Sequence, residues 1–247
     1  MKFFFNLGQY LLLMQQVFHR PEKWPIFRHQ TIKEIESLGL ESLGIVAILS
    51  IFMGAVVTIQ MAFNIDSPLI PIYTIGYATK QSVVLEFSPT IISLILAGKV
   101  GSRIASEIGT MRVTEQIDAL EIMGVNPANY LILPKITASV IINPVLIVIS
   151  MVLAIFGGWF IGTVTHLVTS HDYLYGIRAF YRTYDIIYGL IKTVVFAFII
   201  ASISGYYGYM TRGGAQEVGQ ASTKAVVQSS IFIIIFNLIL TQLLLNG

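Results

Sequence analysis

Five segments of this chain are long and apolar enough to cross a lipid bilayer, and they limit its possible folds more than any other feature. A helix needs about 20 apolar residues to cross a hydrocarbon core of roughly 30 Å. Because hydrocarbon offers no hydrogen-bond partners, each crossing must satisfy its own backbone, which favours helices. The predicted spans are residues 43–64, 72–106, 131–165, 186–210 and 225–245.

The composition agrees with a membrane protein. Hydrophobic residues make up 55% of the chain and charged residues 11%, whereas soluble domains carry about 25% charged residues. The formal net charge of +2 comes without a dense basic run, which argues against a nucleic-acid partner. The chain has no cysteine, so disulfides, thiolate metal sites and a cysteine nucleophile are excluded.

The N-terminal segment, residues 1–19, places Leu7, Leu11, Met14 and Phe18 along one helical stripe. Glutamines interrupt the apolar run and no small-residue cleavage site follows it, which argues against a cleaved signal peptide. We predict an amphipathic helix lying in the membrane interface, with a polar elbow completing residues 1–41. A signal anchor and an ordinary core helix are the alternatives.

Basic residues are distributed unevenly about the spans. Eleven of the fifteen Lys and Arg residues fall in segments 1–42, 98–135 and 211–224, which lie on one side of the predicted topology. The positive-inside rule places this side in the cytoplasm. The prediction is therefore a cytoplasmic N-terminus and a C-terminus on the opposite side.

A polar segment, residues 98–127, separates the second and third spans and holds seven formal charges. Thr110 is suited to an N-cap, Gly124 to the left-handed position after a helix, and Pro127 to a stop. This punctuation predicts a separate amphipathic helix over 111–123. Its position between two spans suggests a docking element at the membrane surface.

Small residues recur within the third span. Ala154, Gly158 and Gly162 form a stripe that permits close helix approach. The stripe is suited to packing within the chain, and a contact between two copies is the alternative.

Signatures of catalysis are missing from the sequence. It contains no phosphate-binding loop for ATP, no HExxH zinc pair and no GxSxG nucleophile elbow. An intramembrane enzyme or a pure assembly scaffold therefore has little support. An enzyme would need a set of catalytic residues, which is missing. A scaffold would give no reason for Glu86, a charged residue in an apolar stretch.

Glu86 lies in an apolar setting, where a carboxylate facing lipid would be costly. We expect it to face the bundle interior, with Pro89 distorting the helix one turn later. The alternative is a carboxylate at the membrane interface. Lys192 is the second candidate, although snorkelling of its ammonium to the surface is the simpler interpretation. Glu86, Pro89 and Lys192 are the candidate substrate-site residues.

Three stretches resemble the MlaE/YrbE-type permeases, the membrane subunits of ABC systems that move phospholipid between inner and outer membranes. LAGKVGSRIASEIGTMRVTEQIDALEIMGVNP resembles the hallmark segment of that family. Residues 86–89, EFSP, resemble its Glu-x-Gly-Pro element, and GGAQEVGQASTKAVVQSS at 213–230 is similar to its last loop and span. With the N-terminal helix and the five-span layout, the resemblance covers nearly the whole chain.

The resemblance implies partners and roles. The family permease is a homodimer, with a cytoplasmic ABC ATPase dimer below and a periplasmic hexamer of MCE-domain lipid-binding protein above. ATP is bound by the ATPase, and the permease itself needs no cofactor or metal. Glu86 would line the lipid cavity, and helix 111–123 would couple to the ATPase. The coupling residues are Thr110, Met111, Arg112, Glu115, Gln116, Asp118 and Glu121.

Three residues depart from the family pattern. Leu85 stands where some members have Arg, Ser88 replaces the usual Gly, and Asn237 stands where Asp is common. They bear on the lipid preference and leave the family resemblance intact. The leading hypothesis is a non-catalytic phospholipid permease of the inner membrane. The alternative is an ATP-independent channel or an ion-coupled secondary transporter that uses Glu86.

Overall fold

A computed structural model describes residues 2–19, 23–65 and 70–245, and within them the chain is helical without strands. Arg20 and Pro21 of the predicted elbow, and Asp66 and Pro68 between the first two spans, lie outside these residues. The helices are α1 (Lys2–Val17), α2 (Trp24–Asn64), α3 (Tyr73–Val113), α4 (Gln116–Ile122), α5 (Pro127–Val164), α6 (Ser170–Arg178), α7 (Thr183–Tyr209) and α8 (Ala215–Leu245).

Helices α2, α3, α5, α7 and α8 are each long and apolar enough to cross a bilayer. The predicted all-α membrane fold with five spanning helices is therefore confirmed. Successive spans run in opposite directions, so the short helices mark the two ends of the bundle. We call these the α4 end, which also holds the start of α2, and the α6 end.

Helices α2 and α5 pack closely and form the most extensive helix pair. A Cβ added at Gly54 would overlap the backbone oxygen of Ala154, and one at Gly157 would overlap that of Ile51. Gly158 likewise faces the Thr58 side chain. Small residues allow backbones to approach this closely, which is how helices associate where no water drives them together. The predicted small-residue stripe thus serves packing within the chain.

Helix α3 is continuous but contains two π-helical stretches, Val83–Ile91 and Ala97–Gly101. The first surrounds Pro89, which has no N–H to donate and whose ring clashes with the preceding turn of an α-helix. A wider π turn accommodates such a residue without ending the helix. Turns of this kind are frequent at functional sites, and this one contains Glu86.

The polar segment differs from the single helix predicted over 111–123. Thr110 is not an N-cap, because it lies inside α3 and its hydroxyl donates to the Ser106 carbonyl at 2.7 Å. Helix α3 instead continues to Val113. The break comes at Glu115, which has a left-handed φ of 60° and immediately precedes α4. Charged residues lowered the hydropathy of this stretch without interrupting the helix.

The predicted end of α4 is correct. Gly124 has a φ of +78°, and its N–H donates to Glu121 while Val125 N–H donates to Leu120. These two bonds are the Schellman pattern, which satisfies carbonyls at a helix end. The Asn126 side chain then caps α5 by accepting from the Asn129 N–H at 3.3 Å.

Helix α1 packs on the bundle with a different face from the one predicted. Leu13, Met14 and Val17 are buried, whereas Leu7 and Leu11 of the predicted stripe are exposed. The Asn129 side chain donates to the carbonyls of Val17 and His19, at 2.7 and 2.6 Å, and holds the end of α1 against α5. Of the proposed stripe only Met14 is buried, while exposed Phe18 stacks on Phe198 of α7. The interfacial location of α1 stays a prediction.

Helices α2 and α3 extend beyond the bilayer at the α4 end. Each has 41 residues, which corresponds to about 60 Å at 1.5 Å per residue, or roughly twice the hydrocarbon thickness. Buried Lys135 ties the projecting parts together, with its ammonium 2.6 Å from Glu34 of α2 and 2.8 Å from Glu107 of α3. Arg103 of α3 also pairs with Glu41 of α2.

Helix α6 closes the opposite end over α3 and α5. Tyr173 is buried there, and its hydroxyl donates to the Ile155 carbonyl at 3.2 Å. Burial raises the pKa of Tyr173 to about 12, which disfavours loss of the proton that makes this hydrogen bond.

We predict that Gly54→Val disrupts the α2–α5 pair, because the new side chain would overlap the Ala154 backbone. Overpacking of this kind typically costs about 1–3 kcal/mol, and more where backbone must move. Thermal unfolding in mild detergent, followed by size-exclusion chromatography, measures the effect. Gly44→Ala in the same helix is the control, because its Cβ meets no atom within 4 Å. Equal stability of the two variants would contradict this account of the packing.

Candidate functional site

A cluster of polar side chains lies between three of the spanning helices. Lys192 is about 14 Å along the helix axis from the start of α7, at 1.5 Å per residue, and so lies well inside the span. Each helix contributes two residues four positions apart, which share one helical face. The pairs are Glu86 and Thr90 of α3, Tyr188 and Lys192 of α7, and Asn237 and Thr241 of α8.

Lys192 is completely buried at the centre of this cluster. Its ammonium lies 2.8 Å from the Glu86 carboxylate and donates to Tyr188 and Thr241 at 2.8 and 3.1 Å. The nitrogen is also 4.6 Å from the centre of the Tyr188 ring. The snorkelling interpretation of Lys192 is therefore wrong. A buried ammonium needs a partner and several hydrogen bonds, and α3 and α8 supply them.

Glu86 faces the same cluster, as expected from its apolar setting. One carboxylate oxygen accepts from Lys192, Tyr188 and Thr241, and the other accepts from the Asn237 amide at 3.2 Å. The Thr90 hydroxyl lies 3.2 Å from the second oxygen. The Glu86 side chain nevertheless remains 41% exposed, in contrast to Lys192. The pair is neutral overall, with its anionic member on the open side.

Pro89 is buried in the first π stretch, one turn beyond Glu86. Its ring offers no polar contact, so its contribution to the cluster is through the backbone. Pro89 and Glu86 share the same π-helical stretch of α3.

Ser88, one of the departures from the family pattern, belongs to a second polar layer. Its hydroxyl accepts from Ser150 of α5 at 3.1 Å, and Ser150 in turn lies 2.8 Å from Ser50 of α2. All three serines are buried. The Ser88 hydroxyl is therefore hydrogen-bonded to a neighbouring span.

The predicted coupling residues lie at the α4 end, away from the cluster. Glu86 and Arg112 are 26 positions apart in α3, which is roughly 40 Å of helix. Arg112 pairs with Asp118 of α4 at 2.7 Å and stacks on Tyr209 of α7, whose hydroxyl donates to Glu121 at 3.3 Å. Two of the predicted acidic docking residues are thus engaged in fixing α4 to α3 and α7.

The remaining coupling candidates differ in their exposure. Met111 is partly buried against the core, and Gln116 donates to Thr114 at the break. Glu115 is exposed. The most exposed apolar side chains of this region were not predicted: Ile122 is 88% exposed and Met123 is 68% exposed. They form an apolar tip at the end of α4.

Sequence reasoning missed several members of the polar cluster. Tyr188, Thr90 and Thr241 were not candidates, and Asn237 was noted only as a departure from a family pattern. The available signal was their spacing, because each lies four residues from another polar residue inside an apolar span. Such spacing places the polar groups on one face.

The sequence pattern of the family described as Permease MlaE matches residues 31–243. The chain is 39% identical to a probable ABC transporter permease protein of Rickettsia prowazekii, over 90% of this chain and 85% of the relative. It is 32% identical to the chloroplastic protein TRIGALACTOSYLDIACYLGLYCEROL 1 of Arabidopsis thaliana, over 96% of this chain and 67% of the relative. It is 31% identical to the intermembrane phospholipid transport system permease protein MlaE of Haemophilus influenzae, over 87% and 83% respectively.

We predict that Glu86→Gln destabilises the protein more than Lys192→Met. The first change leaves a fully buried ammonium without its counter-charge, whereas the second leaves a carboxylate that is partly exposed. Breaking a buried pair from one side is the costly change, whereas replacing both partners is often tolerated. The double variant should therefore be more stable than Glu86→Gln alone.

Thermal unfolding in one detergent compares the three variants, and Lys224→Met is the control because Lys224 is exposed. A double variant less stable than either single change would show that the two residues do not act as a pair.

Proposed function

The chain belongs to the MlaE permease family, and from this we propose that it is the membrane subunit of an ABC transporter that moves phospholipid between two membranes. A separate ATPase supplies the energy, so the subunit is non-catalytic and has no cofactor of its own. The observation that carries the proposal is the Glu86–Lys192 cluster, which holds a partly exposed carboxylate within the membrane.

The cluster is suited to the wall of a lipid cavity. Its charges cancel, so it does not attract a free ion strongly. Its hydroxyls, amide and carboxylate are still able to exchange hydrogen bonds with a polar headgroup. Lys192 and Asn237 hold the two oxygens of the Glu86 carboxylate, and the exposed part of the side chain is available to substrate. Among the described residues, no group of three or more His, Asp or Glu is placed to hold a metal ion.

A second copy of the chain would complete this cavity. In the most apolar part of α8 only 11% of the residues are buried, whereas the share is 33–56% in the other spans. Its exposed side chains include Ile231, Ile234 and Leu238. Helix α8 also contributes Asn237 and Thr241 to the cluster, so a copy packed near α8 would enclose Glu86. This supports a homodimer.

Helix α4 is suited to transmit motion from an ATPase dimer to the spans. The contacts of Arg112 with Asp118 and of Tyr209 with Glu121 fix it to the ends of α3 and α7. These are two of the helices that form the Glu86 cluster. A displacement of α4 therefore acts on both, as expected for a rigid element that links two arrangements. The apolar tip, Ile122 and Met123, is the part left for a partner.

The proposed setting is the inner membrane, with the N-terminus and the α4 end in the cytoplasm. The distribution of Lys and Arg supports this orientation. The C-terminus and the α6 end would then face the periplasm, where a hexamer of MCE-domain lipid-binding protein would receive or deliver lipid.

We predict that Ile122→Ser weakens binding of the ATPase without unfolding the permease, since the side chain is exposed. Burying an Ile in an interface contributes about 1.5–3 kcal/mol, so binding should fall about tenfold or more. Co-purification with the ATPase and its titration in detergent give the measurement. Leu174→Ser, exposed on α6 at the opposite end, is the control. Unchanged ATPase binding by Ile122→Ser would exclude the apolar tip as the docking surface.

Glu86→Ala should lower ATP-dependent lipid transfer between proteoliposomes about tenfold or more, because a hydrogen bond to a charged group contributes about 1.5–3 kcal/mol. The complex with the ATPase should still assemble. Glu36→Ala, an exposed carboxylate on α2, is the control. Wild-type transfer by Glu86→Ala would argue against the cavity role, and ion-driven transport by the chain alone would favour the secondary-transporter alternative.

A further inference from the structure

A narrow groove opens on the side of the bundle near the α6 end, between α3, α5 and α7. Its volume is about 170 Å³, and its wall is almost entirely apolar. Along α5 the wall runs from Val148 through Val152 to Ile155, which is about 10 Å of helix. Val152 is 62% exposed, so the groove is open sideways, toward the hydrocarbon of the bilayer.

The upper rim of the groove is charged. Lys80 of α3, Arg182 just before α7 and Asp185 in the first turn of α7 all line it. Lys80 and Asp185 are largely buried and offset each other's charge, and exposed Arg182 leaves one positive charge in excess at the rim. An apolar slot beneath a cationic rim has the polarity of a phospholipid, with its phosphodiester at the surface and its chains below.

Lys80 is the most unusual of these residues because it is only 6% exposed. Its ammonium donates to the Ala179 carbonyl at 3.3 Å and lies 5.0 Å from the centre of the Tyr77 ring. In the described part of the chain no carboxylate lies within ion-pair distance of it. An ammonium has three donors, so Lys80 retains donors for a ligand.

The groove is distinct from the Glu86 cluster. None of the six cluster residues lines it, and the charged groups of the two sites belong to different stretches of α3 and α7. A ligand in the groove would therefore not be the substrate held against Glu86.

We propose that this groove binds a phospholipid of the surrounding leaflet, with one acyl chain along α5 and the phosphodiester on Lys80 and Arg182. A phosphodiester carries one negative charge, which matches the excess positive charge of the rim. A water-soluble anion would make no use of the apolar wall, and an uncharged lipid would make no use of the rim. The inference concerns binding by the chain alone and does not depend on the proposed transport activity.

Photo-crosslinking in vesicles tests the proposal on the full-length chain. The probe is a phosphatidylethanolamine with a diazirine in its acyl chain, and labelled peptides are identified by mass spectrometry. The peptide containing Val148–Ile155 should be labelled about tenfold more than by a diacylglycerol with the same chain, because diacylglycerol has no phosphodiester to accept hydrogen bonds from the rim. Equal labelling by the two probes would overturn the phosphate-binding role of the rim.

Variants with unchanged folds make the test specific. Val152→Trp should fill the groove, and Arg182→Ala should weaken the rim, so each should lower labelling of this peptide several-fold. Ile141→Trp and Arg178→Ala are the matched controls, because both residues are exposed and do not line the groove. Equal labelling in Val152→Trp and Ile141→Trp would overturn the proposal. Labelling of the groove that is no higher than that of the rest of the lipid-facing surface would also overturn the proposal, because it would show only non-specific contact with the bilayer.

Discussion

The fold depends on one constraint, that a charged group inside hydrocarbon must find its partners within the protein. Lys192 shows how this works. It lies about a third of the way along α7, and its ammonium is satisfied by groups from α3 and α8 as well as by Tyr188 of its own helix. None of the three helices could be moved apart without exposing a charge or an unpaired donor. The ion pair therefore fixes which helices are neighbours, and glycine contacts such as Gly54 with Ala154 then set how closely α2 and α5 approach.

Features of the fold that depend only on the order of residues along the chain could be predicted from the sequence. Span number follows from the length of apolar runs, and the interior position of Glu86 follows from the cost of a carboxylate in lipid. Gly124 was predictable because few residues other than glycine adopt a left-handed conformation easily. The choice of helix faces was harder. The position of Lys192 along α7 suggested snorkelling. Whether its side chain faces lipid or the bundle interior, however, depends on which helices pack against that face of α7.

The polar segment between α3 and α5 shows a different limit. Its charges suggested that the span had ended and a new helix had begun at Thr110, but helical structure does not require an apolar sequence. Helix α3 continues to Val113, and the break comes at Glu115, a non-glycine residue in a left-handed conformation that no local sequence signal predicts. Asp118 and Glu121 were treated as free surface charges because their partners, Arg112 and Tyr209, could be assigned only in three dimensions.

The burial of Lys192 has a consequence for the order of assembly in the membrane. Glu86 and Lys192 are 106 residues apart, so the carboxylate of α3 is synthesised first and the ammonium of α7 follows. A lone Lys at the centre of an inserting helix costs about 2.5–3.5 kcal/mol, and pairing with the waiting carboxylate offsets that cost. Helix α8, the last of the three along the chain, adds Asn237 and Thr241 to the same cluster. Helix α3 thus supplies, earlier in the chain, the counter-charge that the Lys of α7 needs within the membrane.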